Sequence, residues 1–118
     1  MLWVAVTSED IPVGFICCRE ISNMLYIHEI SVAFEYQKQG IGQKLVQRVL
    51  NDAQDKDYKA ISLTTRRDAV WNMPFYKKMG FVETQDATLW PDLLKALKTE
   101  INNGADPLIR CAMVKILP

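Results

Sequence analysis

Residues 32–46 join an apolar run and a polar turn to the start of an amphipathic helix, and two glycines mark the junction. Gly40 and Gly42 stand one residue apart there. Glycines at such a point let backbone N–H groups approach a ligand with no Cβ in the way. The unpaired N–H groups and the positive end of the helix dipole favour an anion such as phosphate. The segment therefore predicts a strand, a turn and a helix that hold a pyrophosphate.

Length and charge narrow the class of protein. The 118 residues suit one domain, spanning residues 1–118. Lys plus Arg and Asp plus Glu number 14 each, and a formal net charge of zero argues against a nucleic-acid partner. No apolar run reaches the length of a membrane span and no secretory leader is recognisable, so we expect a cytoplasmic protein without a membrane partner.

Cysteine and histidine usage gives no sign of a disulfide framework or a metal centre. Cys17 and Cys18 are adjacent in an apolar run, and Cys111 is remote from both. An odd count without framework spacing predicts reduced, mostly buried thiols. His28 is the sole histidine and there is no Cys-x-x-Cys pair, so we expect no metal.

The first third of the chain predicts three strands. Leu2–Thr7, Val13–Ile21 and Met24–Val32 are apolar, β-prone runs separated by short turns, which is typical of an antiparallel meander. Apolar residues on both faces of the third run predict a central strand that is covered on both sides.

The apolar period changes to that of a helix from Gly40 onward. Ile41, Leu45, Val46, Val49, Leu50 and Ala53 fall on one helical face. A short buried strand follows at Ala60–Thr64, so we expect a parallel crossover between the third and fourth strands.

The rest of the chain predicts two helices and two strands. Asn72 is placed as the N-cap of a helix that carries Pro74 in its first turn and ends at Gly80. The later elements are a strand at Phe81–Thr84, a helix at Pro91–Asn102 and a strand at Ile109–Leu117. The order β-β-β-α-β-α-β-α-β predicts an α+β or mixed α/β domain.

Two common phosphate-loop patterns fail at the glycine pair. A P-loop needs Lys and then Ser or Thr directly after its last glycine, but Gln43 and Lys44 follow Gly42. A dinucleotide fingerprint needs a third glycine where Leu45 stands. The remaining pattern, Gln37-x-x-Gly40-x-Gly42, resembles motif A of the GNAT N-acetyltransferase superfamily, whose backbone amides bind the pyrophosphate of acetyl-CoA.

The resemblance extends on both sides of the glycine pair, over roughly residues 2 to 118. The run from His28 to Val32 is similar to the family's fourth strand. The run from Trp71 to Phe81 is similar to its motif B, with Tyr-x-x-x-Gly-Phe beginning at Tyr76. The resemblance implies a GNAT-like acyl-CoA N-acyltransferase fold, with a central, mostly antiparallel sheet between helices.

The resemblance also implies which residues bind acetyl-CoA as co-substrate. The acetyl carbonyl is expected against the strand backbone, and the pyrophosphate against the glycine loop. The implied cofactor-binding residues are Ile30, Ser31, Val32, Gln37, Lys38, Gln39, Gly40, Ile41, Gly42 and Gln43. Asn72 either contacts CoA or only caps its helix. Lys38 and Lys44 either meet a CoA phosphate or are solvated.

Acetyl transfer to an amine needs a base, donors for an oxyanion and an acid for the thiolate. The resemblance makes Tyr76 the candidate acid, and core packing is the alternative. Glu29 is the candidate base, directly or through water, because burial among apolar neighbours would raise the pKa of its carboxyl. The alternative is a carboxylate satisfied by a structural partner. His28, expected on the opposite face of the strand, is another candidate base.

Further residues are open between an acceptor-site role and a structural one. Arg66, Arg67 and Asp68 either line the acceptor side or form a solvated loop. Trp71 and Trp90 either form an apolar acceptor wall or pack. Family members usually carry a strand and two helices before the Leu2–Thr7 strand, so we expect a short variant, a truncation or a partner that fills the gap. Uncovered sheet surface would favour a homodimer.

Together these features predict an N-acetyltransferase that transfers acetyl from acetyl-CoA to a primary amine by direct attack in a ternary complex. Cys17 and Cys18 have no nearby histidine in the sequence, which argues against an acyl-enzyme. A small-molecule amine is the first acceptor class, and a protein or peptide amine is its rival. A CoA-binding or interaction module without catalysis is the alternative from another class.

Overall fold

The computed structural model describes residues 1–69 and 71–118. Its elements follow the predicted order, with one short 3₁₀ turn added before the first α-helix. They are β1 (Leu2–Val6), β2 (Pro12–Ile21), β3 (Met24–Val32), the 3₁₀ turn (Phe34–Tyr36), α1 (Ile41–Asp55), β4 (Ala60–Arg66), α2 (Asn72–Lys78), β5 (Val82–Thr84), α3 (Pro91–Asn102) and β6 (Arg110–Ile116).

The described strands form one six-stranded sheet in the order β1-β2-β3-β4-β6-β5. All neighbouring strands are antiparallel except β3 and β4, which are parallel and joined through α1. The predicted mixed α/β fold and the predicted crossover are therefore confirmed. Among the residues described, no helix is both long and apolar enough to span a membrane.

The helices cover the two faces of the sheet unequally. The apolar stripe of α1 packs with α2 against one face, in a cluster that includes Leu25, Ile27, Val46 and Tyr76. On the other face α3 inserts Leu93 into a smaller cluster of residues from β3, β4 and β6. Because α3 reaches only the middle of the sheet, alternate residues of edge strand β1 stay exposed, namely Leu2, Val4 and Val6.

The two halves of β3 differ in pairing and in cover. Met24–Ile27 is buried. Pairing with β4 runs from Met24 opposite Ala60 to Tyr26 opposite Ser62 and stops there. From His28 to Val32 every residue is exposed or only partly buried. The prediction of a central strand covered on both faces is right for the first half and wrong for the second, where β3 has left β4.

A β-bulge marks the change along β3. Cys18 pairs with Ile27 and Cys17 with Glu29, so His28 is an extra residue with no partner opposite it. A bulge of one residue resets the alternation of faces. Ile27 and Ile30 accordingly both pack on the α1 side of the sheet. The alternation that placed His28 and Glu29 on opposite faces does not hold across this bulge.

Candidate active site

The first turn of α1 presents unpaired backbone donors. Gly40 is the N-cap, with a φ of 79° that lies in the left-handed region, where a Cβ would be strained. Within the described residues no side chain caps this helix, and its first turn holds no acidic residue. The first N–H to bond inside the helix is that of Lys44, to the Gly40 carbonyl at 3.0 Å. The N–H groups of Ile41, Gly42 and Gln43 are thus left for an anion.

The loop before α1 is tied back onto the end of β3. The Gln37 side-chain amide donates to the Val32 carbonyl at 3.0 Å, and that of Gln39 donates to the Glu35 carbonyl at 3.4 Å. Lys38 also adopts a left-handed conformation, with a φ of 64°. Gln37 is therefore used to shape the loop, and any ligand contact there would come from its backbone. We call residues 37–43 the anion cradle.

Helix α2 lies directly against the anion cradle. A Cβ added at Gly42 would meet the Phe75 ring at 3.7 Å. The next residue, Tyr76, is buried between the edges of two other rings, with centroid distances of 5.1 Å to Phe75 and 5.6 Å to Phe81. Burial raises the pKa of Tyr76 to about 12. Its phenol therefore keeps its proton across the neutral range, as a general acid must before it donates.

The second half of β3 is not paired with β4, and we call the place where the two strands run unpaired the β3–β4 cleft. Within the described residues, the register between the two strands stops at Tyr26, while β3 continues to Val32 and β4 to Arg66. Ala33 bonds to Val13 on β2, so by antiparallel alternation Ser31 also turns its backbone groups to β2, while those of Ile30 and Val32 face β4. The Val32 carbonyl accepts from Gln37, and the other β4-facing groups have no strand partner in the described part of the chain and are free to bond a ligand. The predicted strand contacts and the anion cradle thus adjoin one another at the end of β3.

Two predictions for individual residues need correction. Glu29 is exposed rather than buried, because β3 has separated from β4 at that point, so the desolvation that we expected is not present. Asn72 does not cap α2: Trp71 holds the N-cap position and no side chain of the described residues caps the helix. The Asn72 side chain instead donates to the Thr65 hydroxyl at 3.1 Å, which ties α2 to β4.

The other candidate residues take part in ion pairs or lie at surface positions. Arg66 pairs with Asp68 at 2.8 Å, and Arg67 pairs with Glu83 at 2.7 Å. Trp71 is 73% exposed. Lys38 and Lys44 are exposed, and Trp90 packs beside Leu93 in the cluster on the α3 side of the sheet.

Sequence reasoning missed a polar network on the α3 side of the cleft. The Tyr26 and Thr64 hydroxyls lie 3.1 Å apart, just beyond the last β3–β4 pair. Thr64 donates to Glu100 Oε1 at 2.8 Å, and Arg110 bonds to Thr64 Oγ1 at 3.1 Å. Burial is the main reason that the pKa of Tyr26 is raised. No local pattern in the sequence signals this network, because its members are brought together from β3, β4, α3 and β6 by the tertiary fold.

A cavity of about 460 Å³ lies between α3 and the first strands of the sheet. Its lining residues from β2 and β3 are Arg19, Ile21, Tyr26 and His28, and those from α3 are Asp92, Lys95, Ala96, Thr99 and Glu100. We call it the β3–α3 cavity. It places polar groups of both signs next to the cleft, on the face of the sheet opposite α1 and α2.

Comparison with known proteins shows which family this architecture belongs to. The sequence profile of the acetyltransferase (GNAT) family matches residues 1–81. A peptidyl-lysine N-acetyltransferase of Salmonella typhimurium is 36% identical over 84 residues, or 70% of this chain and 51% of the relative. An uncharacterised N-acetyltransferase of Methanocaldococcus jannaschii is 29% identical over 93 residues, or 73% of this chain and 41% of the relative. The chain belongs to the GNAT acetyltransferase family.

Solved structures confirm the fold. An acetyltransferase of Bacillus anthracis in complex with acetyl coenzyme A superposes with a TM-score of 0.77 at 22% identity, over 99% of this chain and 62% of that one. The chain spans about half the length of the curated relatives it matches. Family and fold are thus established.

Proposed function

We propose that this chain is an acetyl-CoA-dependent N-acetyltransferase that acts on a small-molecule primary amine by direct attack in a ternary complex. One observation carries the proposal: the β3–β4 cleft opens beside a helix N-terminus with unpaired N–H groups, and a buried, protonated tyrosine stands on the adjoining helix. Anion binding, backbone donors and a proton source are the three demands that transfer from a CoA thioester makes.

Each part of the site has a role in the proposal. The anion cradle holds the pyrophosphate through the backbone N–H groups of Gly40, Ile41, Gly42 and their neighbours. The backbone groups of Ile30 and the Val32 N–H, which face β4, orient the acetyl carbonyl, and acetyl-CoA supplies the activated acetyl group. Tyr76 holds the proton that the departing sulfur requires. Thr65 holds Asn72, and through it the start of α2, against β4.

The base is assigned to a group at the bulge of β3. Glu29 and His28 are both exposed there, beside the open cleft. Exposure suits Glu29 to relay a proton through water rather than to act as a buried base. We keep Glu29 as the candidate base, with His28 as its alternative because His28 lines the β3–α3 cavity.

A small acceptor is favoured by the shape of this face of the sheet. The β3–α3 cavity is bounded by a helix on one side and strands on the other, and its volume of about 460 Å³ is in the range of small-ligand pockets. A peptide amine is the rival acceptor, because the Salmonella typhimurium relative is a peptidyl-lysine N-acetyltransferase.

Calorimetric titration with acetyl-CoA, followed by a thiol-release assay over a panel of primary amines, tests the proposal. We expect one site per chain and release of free CoA that depends on both substrates. Binding without release for any amine or lysine peptide would indicate a CoA-binding module in place of an enzyme. Absence of binding at millimolar acetyl-CoA would contradict the proposal altogether.

A further inference from the structure

One carboxylate oxygen next to the β3–α3 cavity has no hydrogen-bond partner in the part of the chain that the structure describes. Glu100 Oε1 accepts from Thr64 at 2.8 Å and is 3.4 Å from the Arg110 guanidinium. Glu100 Oε2 is buried and, among the described residues, nothing donates to it. Glu100 lines the β3–α3 cavity and also a second cavity of about 550 Å³ beside Arg66 and Arg110.

A buried charged oxygen without a donor is costly to the fold. Leaving such a group unsatisfied costs about 1–3 kcal/mol, and more when it is charged. Such groups in native proteins usually have a partner that is not part of the chain, such as water or a ligand. Because the last torsion of a glutamate is soft, a modest rotation of the Glu100 carboxylate turns Oε2 toward the cavity.

The neighbouring groups make a cation the suitable partner. The arginine and the lysine that line the β3–α3 cavity, Arg19 and Lys95, are both exposed. The Arg19 guanidinium stacks over the Tyr26 ring, 5.1 Å from its centroid. Asp92 is exposed to water, and the Ser22 hydroxyl donates to its Oδ2. Glu100 is therefore the carboxylate of this cavity whose spare oxygen is buried, at the side of the network that adjoins the cleft.

The reacting nitrogen is not the cation that Glu100 would hold. An amine attacks a thioester through its lone pair and so must first lose its extra proton. A carboxylate close to an amine stabilises the charged form and works against that loss. A carboxylate that is left with a free oxygen in the acceptor cavity thus suits a second nitrogen of the acceptor, one that stays charged throughout the reaction.

We propose that the acceptor is a small amine with a second, cationic nitrogen, and that this nitrogen donates to Glu100 Oε2 while the first amine reaches the β3–β4 cleft. This inference rests on the proposed function for the identity of the reaction. Glu100 is a positioning residue in it and touches only the remote end of the substrate. The acceptor class is that of diamines and longer polyamines.

Two probe molecules of equal length isolate the second nitrogen: the N-acetyl forms of a diamine, 1,4-diaminobutane, and of an amino alcohol, 4-amino-1-butanol. Because acetylation removes the charge from the end that belongs in the cleft, the two probes differ only in whether the far end is an ammonium or a hydroxyl. Their affinities for the full chain can be measured by ¹H–¹⁵N NMR titration, which needs no turnover. Because a hydrogen bond between charged groups is worth about 1.5–3 kcal/mol, we expect roughly tenfold or more tighter binding of the diamine.

The Glu100→Gln variant should lose this preference and bind both probes equally. Gln keeps an oxygen for Thr64 and a similar shape, and its retained affinity for the amino alcohol reports that the cavity is folded. Glu20→Gln is the matched control, since Glu20 is exposed and bonds Tyr58 at 3.0 Å, outside the residues that line the cavity. It should keep the wild-type preference.

Equal affinity of the wild type for the two probes, no measurable binding of either, or an unchanged preference in Glu100→Gln would overturn the inference. The outcome is separable from the proposed function. If acetyl-CoA fails to bind while the diamine preference follows Glu100, the cation site stands and the transferase proposal fails. If amines are acetylated with no such preference, only the inference fails.

Discussion

The two halves of β3 differ both in composition and in surroundings: residues 24–27 are all apolar, whereas Ile30 and Val32 are the apolar residues of 28–32. Met24–Ile27 is buried between two helical layers, and Met24–Tyr26 pairs with strands on both sides. Residues 28–32 have no β4 partner and are largely exposed, although those from Glu29 onward stay paired with β2. A bulge at His28 separates them. In the proposed function the first half serves the fold, and the second half presents backbone groups and side chains to acetyl-CoA.

This division shows how one strand can be both rigid and open. A central strand that leaves its neighbour would normally expose unpaired backbone groups, which is a liability unless something binds them. Here the exposed stretch leads straight into the anion cradle, so one ligand could satisfy both. We infer that the buried half of β3 holds the exposed half in the position in which it binds the ligand.

The largest expected effect comes from truncating the buried half. Leu25 is 1% exposed within the α1-side cluster. Leu25→Ala should lower the free energy of unfolding by about 2–5 kcal/mol, through lost burial and a residual cavity. Ser31→Ala, in the exposed half, should change stability by less than about 0.5 kcal/mol. Urea unfolding of both variants measures the contrast, and similar losses would abolish the distinction between the halves.

The next effect concerns the acid on α2. Removing the Tyr76 hydroxyl should slow turnover by roughly a hundredfold, which is within the range for general acid catalysis. Acetyl-CoA affinity and thermal stability should hardly change, because the ring that packs between Phe75 and Phe81 is retained. Tyr58→Phe, at an exposed hydroxyl that bonds Glu20, is the control. Unaltered turnover in Tyr76→Phe would remove Tyr76 from the mechanism.

A third variant sets stability against binding. Gln43→Glu places a negative charge in the first turn of α1, where the helix dipole should raise stability by about 0.3–1 kcal/mol. The same charge would repel a pyrophosphate and should weaken acetyl-CoA binding by about tenfold. Gln47→Glu, one turn further along the same exposed side, should do neither. If Gln43→Glu binds as tightly as the wild type in calorimetry, the anion lies elsewhere.

The smallest effect concerns acid sensitivity. Trp3 donates to Asp52 at 2.7 Å, linking β1 to α1, and this bond, with Arg48, lowers the pKa of Asp52 below its ordinary value of 3.8. The stability that the bond provides is complete above pH 3.8 and is lost as the pH falls through the lower folded-state pKa. Asp52→Asn should lower the free energy of unfolding by less than about 1 kcal/mol at neutral pH, and should reduce the loss of stability between neutral and acid pH. If urea unfolding at a series of pH values shows the same loss in the variant, the acid sensitivity comes from other carboxylates.

The features that could be predicted from the sequence are those that depend on the period of apolar residues and on the spacing of glycines. The apolar stripe of α1, the crossover from β3 to β4 and the glycine pair that starts α1 were all read correctly. The bulge at His28 left no trace in composition, since one extra residue looks like any other strand residue. Glu29 was misjudged for the same reason, because local apolar neighbours do not show where pairing with β4 stops.

Two other side chains make contacts that only the tertiary fold creates. Asn is a common N-cap residue, but the side-chain amide of Asn72 donates to Thr65 on β4 instead. Glu100 lies beside the apolar stripe of α3 and reads as a solvated residue until Thr64 and Arg110 are brought to it. Long-range polar contacts of this kind are not encoded in local pattern.

The most direct test of the account is a ¹H–¹⁵N NMR titration of the full chain with acetyl-CoA, with backbone amides assigned. The account predicts large shifts at residues 28–32 and 37–43, and much smaller ones at residues 24–27 of the same strand. No shifts, or shifts centred on another part of the chain, would contradict the claim that the open half of β3 and the anion cradle form the acetyl-CoA site.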